Sequence, residues 1–166
     1  LMSFLKNEEL AILNAYIYMQ IPCENENKLV NTINQLESIP ELYFKMLSSD
    51  AGSMEPEGKR NILMLIKENH KLANLTIAKS NENDLDYAQD GMKVMCFLDK
   101  ESKEAIFVYR GTNIAEWIDN AIGLCSSDSP QQMEAKQYLE KTCKELNLKE
   151  QNYEIITSGH SKGGNK

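Results

Sequence analysis

The pattern of apolar and polar positions changes near residue 71 of the 166-residue chain. Before that point, apolar residues recur at helical spacing, which predicts helices over residues 7–20, 27–37, 41–49 and 56–71. Pro22 and Pro40 mark two breaks, and Pro56 suits the first turn of the last helix. One face of that last helix is expected to pack against a core, and it carries Ile62, Leu65, Ile66 and Asn69. Residues 1–71 are therefore predicted to form a helical leader or cap segment.

The longest apolar run covers residues 10–19 and is interrupted by Asn14. It is too short to span a bilayer. Glu8 and Glu9 stand directly before it, where a secretory leader would be basic. We therefore expect a buried helix whose acidic first turn suits the positive end of the helix dipole.

From residue 72 onward the pattern changes to short strands. Strands are predicted over residues 75–79, 92–98, 104–109 and 153–158, with a helix over 130–147 before the last one. The polar segment 99–103 predicts a hairpin between the second and third strands. The helix that follows predicts a crossover between parallel strands. Its apolar face is expected at Ala135, Tyr138, Leu139, Cys143 and Leu146.

Composition narrows the classes of partner. A hydrophobic content of 42% in 166 residues allows one substantial core, and the net charge of -7, with scattered Lys and Arg, argues against nucleic acid or an anionic membrane as partner. The chain has two histidines and four cysteines without a C-x-x-C pair, namely Cys23, Cys96, Cys125 and Cys143. We therefore predict no metal site and no cofactor. The cysteine spacing leaves paired disulfides open, but the absence of a secretory leader favours reduced thiols and a cytoplasmic location.

The last predicted strand runs directly into G-H-S-K-G-G at residues 159–164. This sequence matches G-x-S-x-G, the nucleophile elbow, in which serine stands on a strained strand-to-helix turn and the glycines avoid a Cβ clash. Ser161 is the candidate nucleophile. His160 adjoins it, but neighbouring side chains in an extended segment point to opposite faces, so we do not expect it to be the base. A phosphate loop is disfavoured because Asn165 stands where that motif needs lysine.

A second segment strengthens this interpretation. The apolar strand at 105–109 ends in Arg110-Gly111-Thr112, and Trp117 follows. Together with the elbow about fifty residues later, this order resembles the class-three lipase branch of the α/β-hydrolases. That branch has F/Y-R-G-S/T at a strand end, then a tryptophan segment, then an elbow that typically reads G-H-S-L-G-G. The variant G-H-S-K-G-G resembles that of the uncharacterised bacterial lipase-like members.

The resemblance implies a fold class and a chemistry. The fold would be α/β, a partial α/β-hydrolase fold with the helical segment 1–71 followed by a mixed sheet with flanking helices in 72–166, together one domain. Ser161 would attack an ester or lipid-like small molecule. Thr112 and the backbone N–H of Lys162 would form the oxyanion hole, where each donor contributes about 2.7–4 kcal/mol to the transition state. The triad acid and histidine would follow in that order beyond residue 166.

Two functions remain open from the sequence. In the first, the chain is the front part of a serine esterase or lipase-like hydrolase, inactive without its base and open to self-association through an exposed sheet edge. In the second, it is a non-catalytic binding or assembly module on a hydrolase-derived scaffold. The two differ in whether Ser161 is needed for ester hydrolysis.

Overall fold

The computed structural model describes residues 4–49, 54–80, 93–110 and 130–159. The helices are α1 (Asn7–Tyr18), α2 (Leu29–Glu37), α3 (Pro40–Ser48), α4 (Pro56–Glu68), α5 (His70–Ala73) and α6 (Pro130–Glu145). The strands are β1 (Asn27–Lys28), β2 (Thr76–Ser80), β3 (Lys93–Asp99), β4 (Glu104–Arg110) and β5 (Glu154–Gly159). These strands form one sheet in the order β1-β2-β3-β4-β5. Helices on a mixed sheet place the described part of the chain in the α/β class.

The sheet combines antiparallel and parallel pairings. β1, β2, β3 and β4 pair antiparallel in sequence, and β5 pairs parallel with β4. The predicted hairpin is confirmed between β3 and β4, where Asp99 Oδ1 accepts the N–H groups of Glu101 and Ser102 at 3.0 Å each. The crossover between parallel strands is also confirmed, because α6 lies between β4 and β5 along the chain.

Alternating side chains give the sheet two buried faces. The α1 face is covered by the helices of residues 7–73 and carries Ile77, Met95, Phe97, Ile106 and Val108. The α6 face is covered by α6 and carries Val94, Cys96, Leu98, Ala105, Phe107 and Tyr109. β4 is buried on both faces along 104–109, which explains its unbroken apolar run.

The first helix packs directly on the sheet. Leu13, Tyr16 and Ile17 of α1 are at most 1% exposed and belong to the same core as Ile106 and Val108. The expected buried helix over the apolar run is therefore confirmed. The helical segment and the α1 face thus share one core.

Three local predictions were wrong. Asn27, predicted to begin a helix, lies in β1, because the chain there pairs with β2 and the N–H of Leu29 donates to Leu75 O at 2.8 Å. The helix predicted over 56–71 breaks at Asn69, whose side chain accepts the N–H of Leu72 and caps α5. Leu65, predicted on the packed face of that helix, is 44% exposed. Ile62 and Ile66 do pack against the core, as does Leu63.

The face predicted for the crossover helix is confirmed where it is described. Tyr138 is buried against the α6 face, with Leu139, Cys143 and Leu146 packed around it. The side chain of Ala135 lies outside the described residues. Across the described ranges, none of the helices has both the length and the apolar character needed to cross a membrane.

Candidate functional site

The three residues predicted to carry catalysis, Thr112, Ser161 and Lys162, lie outside the described residues, as do His160 and Trp117. The strands that lead to them are described. β4 ends at Arg110, two residues before Thr112, and β5 ends at Gly159, two residues before Ser161. The geometry of the candidate site is therefore taken from these two strand ends.

The two strand ends lie side by side. β4 and β5 are parallel neighbours, and their register pairs Val108 with Ser158 and Tyr109 with Gly159. Neighbouring strands in a sheet are about 4.8 Å apart. The carboxyl edge, defined here as the edge where β4 ends at Arg110 and β5 at Gly159, is thus the common starting point of both sequence motifs.

Buried polar side chains lie near this carboxyl edge. Ser158 and Ser80 have no exposed surface, and Lys93, which pairs with Arg110, is 4% exposed. Burying polar groups costs free energy unless they are hydrogen-bonded, so each of these side chains needs polar partners. Sequence reasoning missed all three, because nothing local distinguishes them from exposed polar residues.

One of these side chains is tied to α1. Asn14 Nδ2 donates to Ser158 Oγ at 2.9 Å and to the carbonyl oxygen of Leu10 at 3.0 Å. Asn14 is 7% exposed, and its Oδ1 has no hydrogen-bond partner among the described residues. The signal in the sequence was the single polar residue inside the apolar run 10–19. Its partner 144 residues away could not be inferred.

The opposite edge of the sheet also carries a buried acid, but the chain itself occupies it. The carboxylate of Glu104, 5% exposed, accepts the backbone N–H of Phe4 at 2.8 and 3.0 Å. Lys71 Nζ lies 5.1 Å from the Phe4 ring centroid and contacts Glu9 Oε1 at 2.7 Å. Glu104 therefore anchors the segment before α1 rather than facing a cavity.

Two groups on the α6 face that could act as nucleophiles, the Cys96 thiol and the Tyr109 hydroxyl, are buried. Burial raises the pKa of the Cys96 thiol far above its ordinary value, and the nearby Cys143 adds to the effect. Burial likewise raises the pKa of the Tyr109 hydroxyl, with Cys96 and Cys143 contributing. Because the thiolate is the reactive form of cysteine, this raised pKa disfavours Cys96 as a nucleophile.

The described part of the chain places no histidine at the carboxyl edge. His70, the one histidine in that part, is exposed and begins α5, just before β2. β2 runs in the same direction as β4 and β5, so His70 lies towards the amino ends of these strands, away from the carboxyl edge. No group of three His, Cys, Asp or Glu residues able to hold a metal occurs within the described ranges.

Two cavities of about 400 Å³ lie away from the carboxyl edge. One is lined by residues of α2, α3 and the segment before β1, including Cys23, Thr32 and Leu36. The other lies between α6 and the beginning of β5, beside Cys143 and Ile155. Neither includes the ends of β4 and β5, so neither forms part of the candidate site.

Most of the chain matches a known protein family. Residues 37–166 match the family described as Domain of unknown function (DUF6792). The chain belongs to the DUF6792 family. The matched range runs from the end of α2 through β5, so both segments of the candidate site lie within the DUF6792 match, whereas α1 and Asn14 precede it. No curated protein and no solved structure matches the chain.

Proposed function

We propose that this chain carries the nucleophile and the oxyanion hole of a serine acyl hydrolase, with an α/β-hydrolase fold of the class-three lipase type. The observation that supports the proposal is the parallel pairing of β4 and β5, with Tyr109 opposite Gly159. Two motifs separated by about fifty residues in the sequence begin from adjacent strand ends.

The distances allowed by the chain are compatible with a shared site. Thr112 follows Tyr109 by three residues and Ser161 follows Gly159 by two, and each residue advances the chain by at most about 3.6 Å. Starting from strands about 4.8 Å apart, both residues can meet around one carbonyl group. In this proposal Ser161 Oγ attacks the carbonyl carbon, and the N–H groups of Thr112 and Lys162 stabilise the oxyanion that forms.

Neither histidine of this sequence suits the role of the catalytic base. His70 lies away from the carboxyl edge, and His160 is adjacent to the nucleophile. The resemblance implies that the triad acid and histidine would come from sequence outside residues 1–166. The substrate class is an ester or lipid-like small molecule, nucleic acid is not a partner, and the location is cytoplasmic.

Two measurements on the full-length protein test this function. In the first, the protein is treated with a fluorophosphonate probe and its intact mass is determined; in the second, hydrolysis of p-nitrophenyl butyrate is followed. We expect one adduct on Ser161, lost in Ser161→Ala together with a fall in hydrolysis of at least about 10³-fold. Ser102→Ala, in the exposed turn between β3 and β4, is the matched control and should keep both signals.

Two further variants separate the proposed roles. Lys162→Ala retains the backbone N–H, so activity should stay within a few-fold of the wild type. Loss of activity in this variant would instead indicate a Ser–Lys pair. Thr112→Val should reduce the turnover number by up to about 10²-fold if the hydroxyl assists the oxyanion. Absence of any adduct on the full-length protein would reject the hydrolase and leave the binding or assembly module.

A further inference from the structure

A buried hydrogen bond joins α1 to the strand that leads to Ser161. Asn14 Nδ2 donates to Ser158 Oγ at 2.9 Å across the α1 face, and Ser158 precedes Ser161 by three residues. Around this contact the α1 face is apolar, with Leu13, Ile17 and Val108 each fully buried. The pair is therefore a polar contact inside a hydrophobic core.

Stability alone does not account for this pair. Within the part of the chain that the structure describes, Asn14 Oδ1 is buried without a hydrogen-bond partner, and such a group costs about 1–3 kcal/mol. Replacing both members of a buried polar pair by apolar groups of the same shape is often neutral or stabilising. A leucine facing a small apolar residue would fill the same space without the unsatisfied oxygen. What the polar pair adds is direction, because a hydrogen bond fixes one atom of β5 relative to one atom of α1.

We propose that Asn14 is a positioning residue, which sets the place of β5 through Ser158 and thereby the place of Ser161. The inference rests on the proposed function, since Ser161 is its target. Among the described strands, β4 is the neighbour that pairs with β5. The hydrogen bonds between these two strands lie in the plane of the sheet. The contact from Asn14 comes from the α1 face, out of that plane. It therefore restrains a tilt of β5 that the hydrogen bonds between the strands leave free.

Small displacements at a nucleophile have large kinetic consequences. A misplacement of about 1 Å can reduce the rate about 10²-fold even when the change is remote from the reacting atoms. Ser161 is separated from Ser158 by two residues, so a shift of β5 is carried to it over a short length of chain. Loss of the Asn14 contact should thus lower the rate of reaction at Ser161 without changing affinity for the reagent.

The test uses two matched pairs of variants in the full-length protein. Ser158→Val and Ser158→Thr add the same bulk to β5 but differ in the hydroxyl. Asn14→Leu removes the donor at nearly constant size, and the double variant Asn14→Leu/Ser158→Val tests whether the two residues act through one contact. For each we measure the saturable kinetics of fluorophosphonate labelling, hydrogen exchange of residues 154–159 and the melting temperature.

We expect Asn14→Leu and Ser158→Val each to lower the maximal labelling rate about 10-fold, with the half-saturating reagent concentration unchanged. Ser158→Thr should restore the rate, and the double variant should be no slower than either single one. Exchange of the β5 amides should quicken in the variants that lose the hydrogen bond. A merely structural role would lower the melting temperature without this pattern of rates.

Failure of the inference and failure of the proposed function give different results. If the wild type is not labelled at Ser161, the proposed function fails; faster β5 exchange in Asn14→Leu and Ser158→Val, but not in Ser158→Thr, would still support the positional role. If labelling and exchange are the same in all variants as in the wild type, Asn14 does not position β5 and the inference is overturned.

Discussion

The two faces of the central sheet are built differently, although they share the same strands. The α1 face is covered by several helices of the first 73 residues and buries polar side chains with defined contacts, among them Asn14 and Glu9. The α6 face is covered in the described residues mainly by one helix, and its core is smaller. The comparison indicates that the α1 face joins helix to strand through a buried polar contact, Asn14–Ser158, whereas the ion pair Lys79–Glu145 on the α6 face includes the exposed Glu145.

Two phenylalanines on opposite faces provide the sharpest comparison. Phe97 faces α1 and Phe107 faces α6, and neither has exposed surface. Replacing a buried phenylalanine by alanine costs about 3–5 kcal/mol of unfolding free energy. Phe97 also makes an edge contact with the Tyr16 ring at 6.5 Å between centroids, and such contacts contribute about 0.5–1.5 kcal/mol more.

We therefore expect Phe97→Ala to destabilise the protein by about 1 kcal/mol more than Phe107→Ala does, measured by equilibrium urea unfolding. Phe44→Ala, at a side chain that is 72% exposed, is the control and should change stability by less than about 0.5 kcal/mol. Equal losses at the two buried positions would contradict a difference between the faces.

Lys59 joins two helices of the layer that covers the α1 face, α4 and α3. It is fully buried, and its Nζ donates to the carbonyl oxygens of Met46 at 2.8 Å and Ser49 at 2.7 Å, at the end of α3. A cation there also suits the negative end of the helix dipole. Lys59→Met should cost about 2–3 kcal/mol, because it leaves buried carbonyl groups unsatisfied.

The neighbouring exposed residue supplies the matched control for this second prediction. Arg60→Met should change the unfolding free energy by less than about 0.5 kcal/mol. Similar small effects at both positions would mean that Lys59 does not hold α3 to α4.

The smallest expected change in unfolding free energy comes from removing an ion pair, and each face of the sheet offers one. Lys71–Glu9 and Lys79–Glu145 both have an N–O distance of 2.7 Å, but the side chain of Glu9 is 9% exposed and that of Glu145 is 47% exposed. Burial acts to raise the pKa of Glu9, but hydrogen bonds from Lys6 N–H, Lys71 and Asn69 outweigh it and lower the pKa below the ordinary value of 4.5. Glu9→Gln should therefore cost about 1–2 kcal/mol at neutral pH, and Glu145→Gln less than about 1 kcal/mol.

The pH dependence follows from the lowered pKa of Glu9. Its stabilising contribution is fully present above the unfolded-state pKa and is lost as the pH falls through the lower folded-state value. Unfolding measured from pH 7 down to pH 3 should show a smaller loss of stability in Glu9→Gln than in the wild type. Parallel curves for the two proteins would contradict a stabilising ionised Glu9.

Much of the local structure could be predicted, whereas the candidate site at Thr112, Ser161 and Lys162 lies outside the described residues and stays a prediction. Helical spacing and the strand pattern identified the main elements to within a few residues, including the hairpin and the crossover to β5. The errors fell where tertiary contacts compete with local preference, as at Asn27, which pairs with β2. Catalysis by Ser161, and self-association through an exposed sheet edge, stay predictions.

The sequence by itself determined most of the helices and strands, because spacing along the chain reflects the local geometry of each element. It also marked Asn14 as a polar residue in an apolar run and placed two motifs at the ends of strands. Only the tertiary structure decided that these strand ends are neighbours in register and that Asn14 meets Ser158. Such pairings join residues far apart in the chain, and they depend on how the whole sheet closes against its helices rather than on any local pattern.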